Sequence, residues 1–399
     1  MPLPVLGVCA GAVAAFGVAM ATGHVLANAG FPLPSREKRI GQIDGLRGFL
    51  ALSVMVHHFA VWLQMTRITG TWAQLKINFF EQLGSTGVAL FFMTTGLLFY
   101  PRILAGFRAN SWPALYITRV FRLVPMSIAA FVLVTLVVML RTGHGLDADF
   151  PGAALRWIFA AGMPPLLGYE DSGRVNAYVL WSLTYEWLFY LAVLPVCAIA
   201  MDLSRGKLPS WALPFAVILV GVVFRHVLHD FGFSKFLPLF GTGMLAFEAQ
   251  SRPALAARLR APAMTLPALA ALLASMILFK TPLDLAWPLL ALFFFAVASG
   301  NDMGGLLATK AALVLGECSY GIYLTHGIVL FALFTFGGAL TGLFPTPFLP
   351  VLLPLVALVV VLLTATTYLL VERPGMKAGR LLANRWRALA ARRISFAPD

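Results

Sequence analysis

The sequence predicts an all-α polytopic membrane protein, a helical bundle of about eleven transmembrane helices. Of its 399 residues, 60% are hydrophobic and 11% are charged, whereas a soluble domain carries roughly 25% charged residues. Apolar runs of about 20 residues, the length that crosses roughly 30 Å of hydrocarbon, recur along the whole chain. The three cysteines, Cys9, Cys197 and Cys318, lie in separate apolar runs. We therefore expect neither a disulfide framework nor a metal site.

The predicted spans follow one another along the chain with no soluble domain between them. The stretch 150–177 contains a weaker apolar run from Trp157 to Leu167, which Pro164 and Pro165 interrupt. We interpret it as interfacial or re-entrant, because one more crossing would invert every later loop. The spans lie at about 5–27, 46–65, 84–100, 120–140, 178–200, 209–229, 236–249, 264–279, 285–299, 312–336 and 349–370.

The basic residues indicate how these spans are oriented. The net charge is +13, and 21 of the 29 basic residues fall in one set of alternate loops and helix ends. Cytoplasmic loops carry an excess of Lys and Arg, so we expect the N-terminus outside and the C-terminus in the cytoplasm. Because the basic residues lie in alternate loops, we expect them to interact with membrane lipid and not with nucleic acid. The set comprises Arg36, Lys38, Arg39, Arg47, Arg102, Arg108, Arg119, Arg122, Arg205, Lys207, Arg252, Arg258, Arg260, Lys310, Arg373, Lys377, Arg380, Arg385, Arg387, Arg392 and Arg393.

The two ends of the chain differ from the middle. Residues 1–30 are expected to form a retained N-terminal transmembrane helix, because no positive charge precedes the apolar run. Cleavage after Ala27-Asn28-Ala29, which resembles a signal-peptidase site, is the alternative. Residues 376–399 form a basic cytoplasmic tail, either an interfacial helix on anionic lipid or a stop-transfer anchor.

The first candidate site combines a cation with an imidazole on one helix. Arg47 and His58 are eleven positions apart, close to three helical turns, so they share a face and lie about 16 Å apart along the axis. An anionic carrier that enters from the cytoplasm could bind Arg47 and extend a reactive group to His58. The alternative is that His57 and His58 only hydrogen-bond neighbouring helices, while Arg47 is a positive-inside anchor.

Two further groups line single helix faces. Ser182, Glu186 and Tyr190 are spaced i, i+4 and i+8. An unpaired carboxylate would be costly within a span, so Glu186 is expected to be either protonated or paired, with His58 or Arg47 as its partner. Tyr323 and His326, together with Ser319, share a face of a later helix. Both groups could instead be structural hydrogen-bond clusters between helices.

Arg119 and Arg122, three apart at a helix start, could bind phosphate or act as positive-inside anchors. No P-loop and no Gly-x-Ser-x-Gly elbow occurs in the sequence, which argues against an ATP-driven pump and an α/β-hydrolase.

Six segments in this order resemble the acyltransferase-3 family, the bacterial inner-membrane O-acyltransferases that acylate surface and secreted glycans. The resemblance covers residues 40–375 and departs from the family pattern at Thr95, where Ser is usual, and at Thr325, where an aromatic residue is common. The family core has ten spans, so residues 5–27 would be an additional helix. The matching segments are Asp44–Gly48 with the Arg-x10-His spacing to His58, Phe91–Gly96, Arg119–Pro125, Ser182–Tyr190, Ser319–His326 and Glu372–Pro374.

The resemblance implies a multi-pass enzyme of the bacterial inner membrane. It implies that acyl-CoA, with acetyl-CoA as the default, binds with its phosphates near Arg47, Arg119 and Arg122. His58 would act as general base toward an acceptor hydroxyl or carry the acyl group transiently, and Glu186 would orient or charge the imidazole. The acceptor, a glycan or glycolipid, would follow a route lined by Ser182, Tyr190, Tyr323 and His326. A separate periplasmic protein could take part in acyl transfer.

Two other functional classes fit the same spans. A secondary transporter or flippase for a lipid-linked or glycan substrate could use the buried His and Glu as proton relays, although no inverted repeat is evident. A catalytically silent scaffold would have little reason to keep Arg47, His58 and Glu186 at such cost. The sequence leaves the acceptor, the acyl chain and the choice between direct transfer and a covalent relay open.

Overall fold

The computed structural model describes residues 2–33, 40–204, 206–227, 232–283 and 286–395. Arg36, Lys38, Arg39 and Arg205 of the orientation set lie outside these residues, as do residues 396–399 of the predicted tail and the side chains of Arg392 and Arg393. Within the described ranges the chain is helical and forms no β-strand.

The described residues form α-helices that are interrupted or extended by short 3-10 and π turns. The helices are α1 Val5–Asn28, α2 Gly41–Gln64, α3 Asn78–Leu104, α4 Trp112–Thr142, α5 Phe150–Ile158, α6 Trp181–Leu188, α7 Leu194–Ser204, α8 Ala212–Val227, α9 Leu237–Gln250, α10 Pro253–Arg260, α11 Thr265–Leu278, α12 Trp287–Ala298, α13 Lys310–Thr335, α14 Gly338–Gly342, α15 Leu353–Thr367 and α16 Arg373–Ser395.

Seven continuous helical segments, three of which run through a π turn, are long and apolar enough to cross a membrane, or eight if α10 and α11, bent by 63°, count as one broken span. This confirms a polytopic helical membrane protein. Each of the eleven predicted spans coincides with a helix, but α8 and α12 are shorter apolar helices. The number of crossings therefore stays a prediction.

The centre of the bundle is the pair α2 and α13, which approach closely because glycines face each other. An ideal Cβ placed on Gly316 would lie 1.9 Å from the Asp44 carbonyl oxygen, and one on Gly48 would lie 2.6 Å from the Leu315 Cβ. Small residues allow two membrane helices to pack backbone to backbone, where dispersion contacts replace the hydrophobic effect. This approach brings the Arg47–His58 face of α2 against the polar face of α13.

The additional helix α1 packs on α13 and α15 by the same device. Its buried positions, Val8, Gly11, Ala15, Ala19 and Gly23, recur every three or four residues and are nearly all small. They form one helix face, so α1 lies against the bundle along most of its length. The remainder of α1 is apolar and exposed, as expected for a surface that faces lipid.

The segment after α5 folds back over the bundle without a helix long enough to span a membrane. It includes the 3-10 turn Ser172–Asn176 and two consecutive left-handed residues, Ala177 with φ 56° and Tyr178 with φ 57°. Non-glycine residues in that conformation cost of order 1–3 kcal/mol and cluster at functional sites. The segment therefore positions the start of α6, which carries the Ser182–Glu186–Tyr190 face, at an energetic cost.

Candidate active site

Seven of the nine predicted site residues line one cavity of about 820 Å³ between α2, α3, α4, α6 and α13. Its wall is mostly aromatic and aliphatic, with the polar groups of α6 and α13 on one side. A largely apolar cleft with a few convergent polar groups is the usual form of a small-molecule site. The predicted residues in this wall are Arg47, Arg119, Arg122, Ser182, Glu186, Tyr190 and Tyr323.

Three arginines converge at one end of this cavity. Arg47 comes from α2, where Asp44 lies 3.7 Å away, and Arg119 and Arg122 come from the start of α4. The Arg119 guanidinium lies 5.1 Å from the ring centre of Phe99 and 5.9 Å from that of Tyr190. Stacking on aromatic faces fixes a planar guanidinium and leaves its N–H donors directed at the edge, where they can bind an oxyanion.

Arg122 forms an ion pair with Glu372. The two side chains lie 3.8 Å apart, and the Arg122 Nη1 also contacts the Met376 sulfur at 2.7 Å. Glu372 is fully buried, and its carboxylate oxygens make no hydrogen bond to the described residues. It lies at the end of a π turn, Tyr368–Glu372, a local distortion that occurs most often at functional sites. Arg122 is thus the cation that balances this buried charge.

Glu186 and Ser182 form hydrogen bonds with different side chains. The Tyr190 hydroxyl donates to Glu186 within the same helical stretch. The hydroxyls of Ser182 and Tyr323 lie 2.7 Å apart, and Tyr323 donates to the Val179 carbonyl at 3.2 Å. The i, i+4 spacing explains the first contact, and the close packing of the α6 entry against α13 explains the second.

The hydrogen bonds of His58 and His326 determine which ring nitrogen of each histidine carries the hydrogen. His326 Nδ1 lies 2.8 Å from the Ile322 carbonyl oxygen, which can only accept, so this nitrogen carries the hydrogen. With both rings neutral, His326 Nε2 is then an acceptor, and His58 Nδ1, 2.9 Å away, must donate to it. The remaining nitrogen, His58 Nε2, therefore carries the free lone pair. This is the atom that a general base or an acyl carrier uses.

The predicted contact between Glu186 and His58 is wrong for the resting protein. His58 hydrogen-bonds His326, whereas Glu186 accepts from Tyr190 and lines the cavity, of whose lining His58 is not part. The physical reason is that α13, and not α6, packs against the His58 side of α2. The link between the cavity and the histidines is Tyr323, whose ring centre lies 6.2 Å from that of His326.

Other residues beside the histidines were not predicted. His58 is only partly buried, and its ring stacks on Trp72 at 6.2 Å between centroids, with Tyr178 5.5 Å from Trp72. Trp72 lies in a connecting segment, and Tyr178 lies in a turn at the first position of a predicted span, so helical spacing indicated neither residue. The sequence indicated Glu372 only as part of the family-like segment Glu372–Pro374, although a buried carboxylate next to an apolar span is itself a functional signal.

The geometry can be compared with known families. The model of the acyltransferase-3 family, described as an acyltransferase domain, matches residues 40–369. The chain belongs to the acyltransferase-3 family. As a member it is a membrane acyltransferase, and the match contains every residue of the cavity and both histidines, whereas α1 precedes it. No curated protein and no solved structure matches the chain.

Proposed function

We propose that the protein is an O-acyltransferase that moves an acyl group, acetyl by default, from acyl-CoA to a hydroxyl of a glycan or glycolipid. One observation carries the proposal: a cavity lined by three arginines also contains Tyr323, whose ring centre lies 6.2 Å from that of His326 in a histidine pair with a free Nε2. The polyanionic donor suits the arginines and the acceptor hydroxyl suits the histidine pair.

The donor enters from the end at which α2 and α4 begin. Its diphosphate binds Arg119 and Arg122 by charge-assisted hydrogen bonds, with Arg47 on the opposite wall. The pantetheine arm lies along the apolar wall formed by residues such as Phe91 and Leu98. Arg47 and His58 are about 16 Å apart along α2, so an extended arm brings the thioester toward His58.

The chemistry requires one base and one carbonyl carbon. His58 Nε2 takes the proton of the acceptor hydroxyl while its oxygen attacks the thioester carbonyl, forming the C–O bond. The C–S bond then breaks, and the departing CoA thiolate takes the proton back from the imidazolium. His326 accepts the hydrogen bond from His58 Nδ1 throughout and stabilises the imidazolium. A carboxylate has this role in Ser-His-Asp triads. In a covalent variant, Nε2 itself attacks the thioester carbonyl and the C–S bond breaks, so that the CoA thiolate leaves and an acyl-imidazole forms. The acceptor hydroxyl then attacks the acyl carbon, the C–N bond breaks and the acceptor proton is released to the imidazole or to solvent.

Glu186 has a different part from the one first predicted. Its hydrogen bond from Tyr190 fixes the ring on which Arg119 stacks, so it positions the donor-binding arginine and not the base. The acceptor reaches His58 from the other side, where the ring is partly exposed beside Trp72 and Tyr178. Aromatic faces offer apolar surface to the C–H face of a sugar ring, and their polar edges can hydrogen-bond its hydroxyls.

We place the arginine end at the cytoplasmic side, where Lys and Arg are in excess, and the Trp72 side at the periplasmic side of a bacterial inner membrane, the location that the family resemblance implies. A periplasmic acyl-transfer protein is compatible with this arrangement.

Vesicles of opposite orientation test the proposal. Labelled acetyl-CoA is added to inverted and right-side-out vesicles that contain the protein, with an acceptor-rich glycolipid extract supplied. The proposal predicts label in glycan or glycolipid from inverted vesicles and background label from sealed right-side-out vesicles. Background label in both would contradict it and favour the transporter or flippase class.

A further inference from the structure

A second cavity of about 1230 Å³ adjoins the first at its arginine end. Arg119, Arg122 and Leu98 line both cavities, so the two share a wall. The second is formed by the start of α2, the ends of α3 and α9, the start of α4 and the first turns of α16. Its lining also contains Met376 and Arg380 from α16.

The helix α16 is fixed against α4 by two glycines. An ideal Cβ on Gly379 would lie 2.5 Å from the Phe121 Cβ, and one on Gly375 would lie 2.9 Å from the Pro125 ring. This approach leaves no room for larger side chains and sets the rotation of α16. Arg380, the next residue after Gly379, is therefore held at the cavity although its side chain is exposed.

The charges at this cavity are unbalanced. Its lining has three arginines, Arg119, Arg122 and Arg380, and one carboxylate, Asp44, which already has Arg47 at 3.7 Å. Arg122 has Glu372 at 3.8 Å, which leaves Arg119 and Arg380 without an ion pair among the described residues. Arg102 follows the lining residue Pro101 in sequence, and the charged groups that act on it are Arg119 of the lining and Arg387 of α16, both cations. Like charges held together repel unless an anion lies between them, so this arrangement indicates a ligand with several negative charges.

We propose that this second cavity binds the adenosine 3′-phosphate end of the acyl-CoA, with Arg380 on the 3′-phosphate and Arg102 and Arg387 as further cations at the rim. The inference rests on the proposed function and extends it. The diphosphate at the shared wall, Arg119 and Arg122, joins the nucleotide in this cavity to the pantetheine arm in the first. A planar guanidinium matches a phosphate with two parallel hydrogen bonds. The enzyme therefore distinguishes acyl-CoA from carriers that end in the pantetheine phosphate.

The test compares CoA with 3′-dephospho-CoA, which differs only in the phosphate concerned. Their dissociation constants are measured by calorimetry for the full-length protein in detergent, for Arg380→Gln and for Arg387→Gln. Arg385→Gln is the matched control, because position 385 is about 140° around the helix from position 380 and its side chain is exposed. All three variants replace exposed side chains, and their folding is checked by thermal unfolding.

The native protein and Arg385→Gln should bind CoA about 10- to 100-fold more tightly than dephospho-CoA, as expected for a charge-assisted hydrogen-bonded pair. Arg380→Gln should lose most of this preference with unchanged affinity for dephospho-CoA, and Arg387→Gln should lose part of it. An unchanged preference in Arg380→Gln, with weaker binding to phosphatidylglycerol vesicles, would assign the arginine to a lipid headgroup and overturn the inference. A native protein that binds neither nucleotide would contradict the proposed function itself.

Discussion

Replacement of His326 tests the part of the site that the hydrogen-bond geometry determines most sharply. His326→Leu removes the acceptor of His58 Nδ1 and leaves the Ile322 carbonyl in its helix. The His58 Nδ1–H then loses this acceptor, and the ring can exchange its hydrogen between the two nitrogens. Losing one partner of a buried hydrogen bond costs about 1–3 kcal/mol, which corresponds to a decrease in kcat of about 5- to 160-fold.

His326→Gln is the informative second variant. The glutamine amide oxygen can take the position of the imidazole Nε2 and accept from His58, so most of the kcat should return. The KM for acyl-CoA should stay at the native value in both variants, since His326 is not among the residues that line the donor cavity. Steady-state transfer from labelled acetyl-CoA gives both constants. Equal kcat values for His326→Leu and His326→Gln would refute the tautomer argument. His326 would then contribute only by packing.

Two further changes address the edges of the site. Glu372→Gln removes the carboxylate 3.8 Å from Arg122, and we expect a loss of about 3 kcal/mol in unfolding free energy, the lower end for a broken buried pair because Arg122 faces a cavity and Glu317 also acts on its charge. Thermal unfolding in detergent measures it against the exposed control Glu170→Gln, and a native transition would contradict the ion-pair role. Trp72→Ala should raise the acceptor KM about 2- to 12-fold, from 0.5–1.5 kcal/mol of aromatic contact, with the donor KM unchanged. A change in the donor KM alone would move Trp72 out of the acceptor site.

Much of the site was predictable because helical spacing decides which side chains share a face. Ser182, Glu186 and Tyr190 do line one cavity, and Tyr323 meets them from α13. Costly polar residues in apolar spans indicated which groups to propose for the chemistry. The family match at residues 40–369 confirmed the class of enzyme.

The partners of each residue could not be read from spacing, because they depend on which helices touch. The backbone approach of α2 and α13 at Gly48 and Gly316 gives His58 the partner His326 and not Glu186. Periodicity along one helix contains no information about this choice. Trp72 lies in an irregular segment and Tyr178 in the turn before α6, where helical spacing does not apply although the predicted span began at residue 178. Short helices such as α12 likewise leave the number of crossings open, since their length alone does not establish a span.

The most direct test of the central claim is acyl transfer by a protein that lacks only the His58 imidazole. Inverted vesicles with native protein, His58→Ala or the adjacent control His57→Gln are supplied with labelled acetyl-CoA and glycolipid extract, and calorimetry verifies that each variant still binds CoA. The account predicts label in the acceptor with the native protein and the control, and background label with His58→Ala at native CoA affinity. Native turnover by His58→Ala would contradict it.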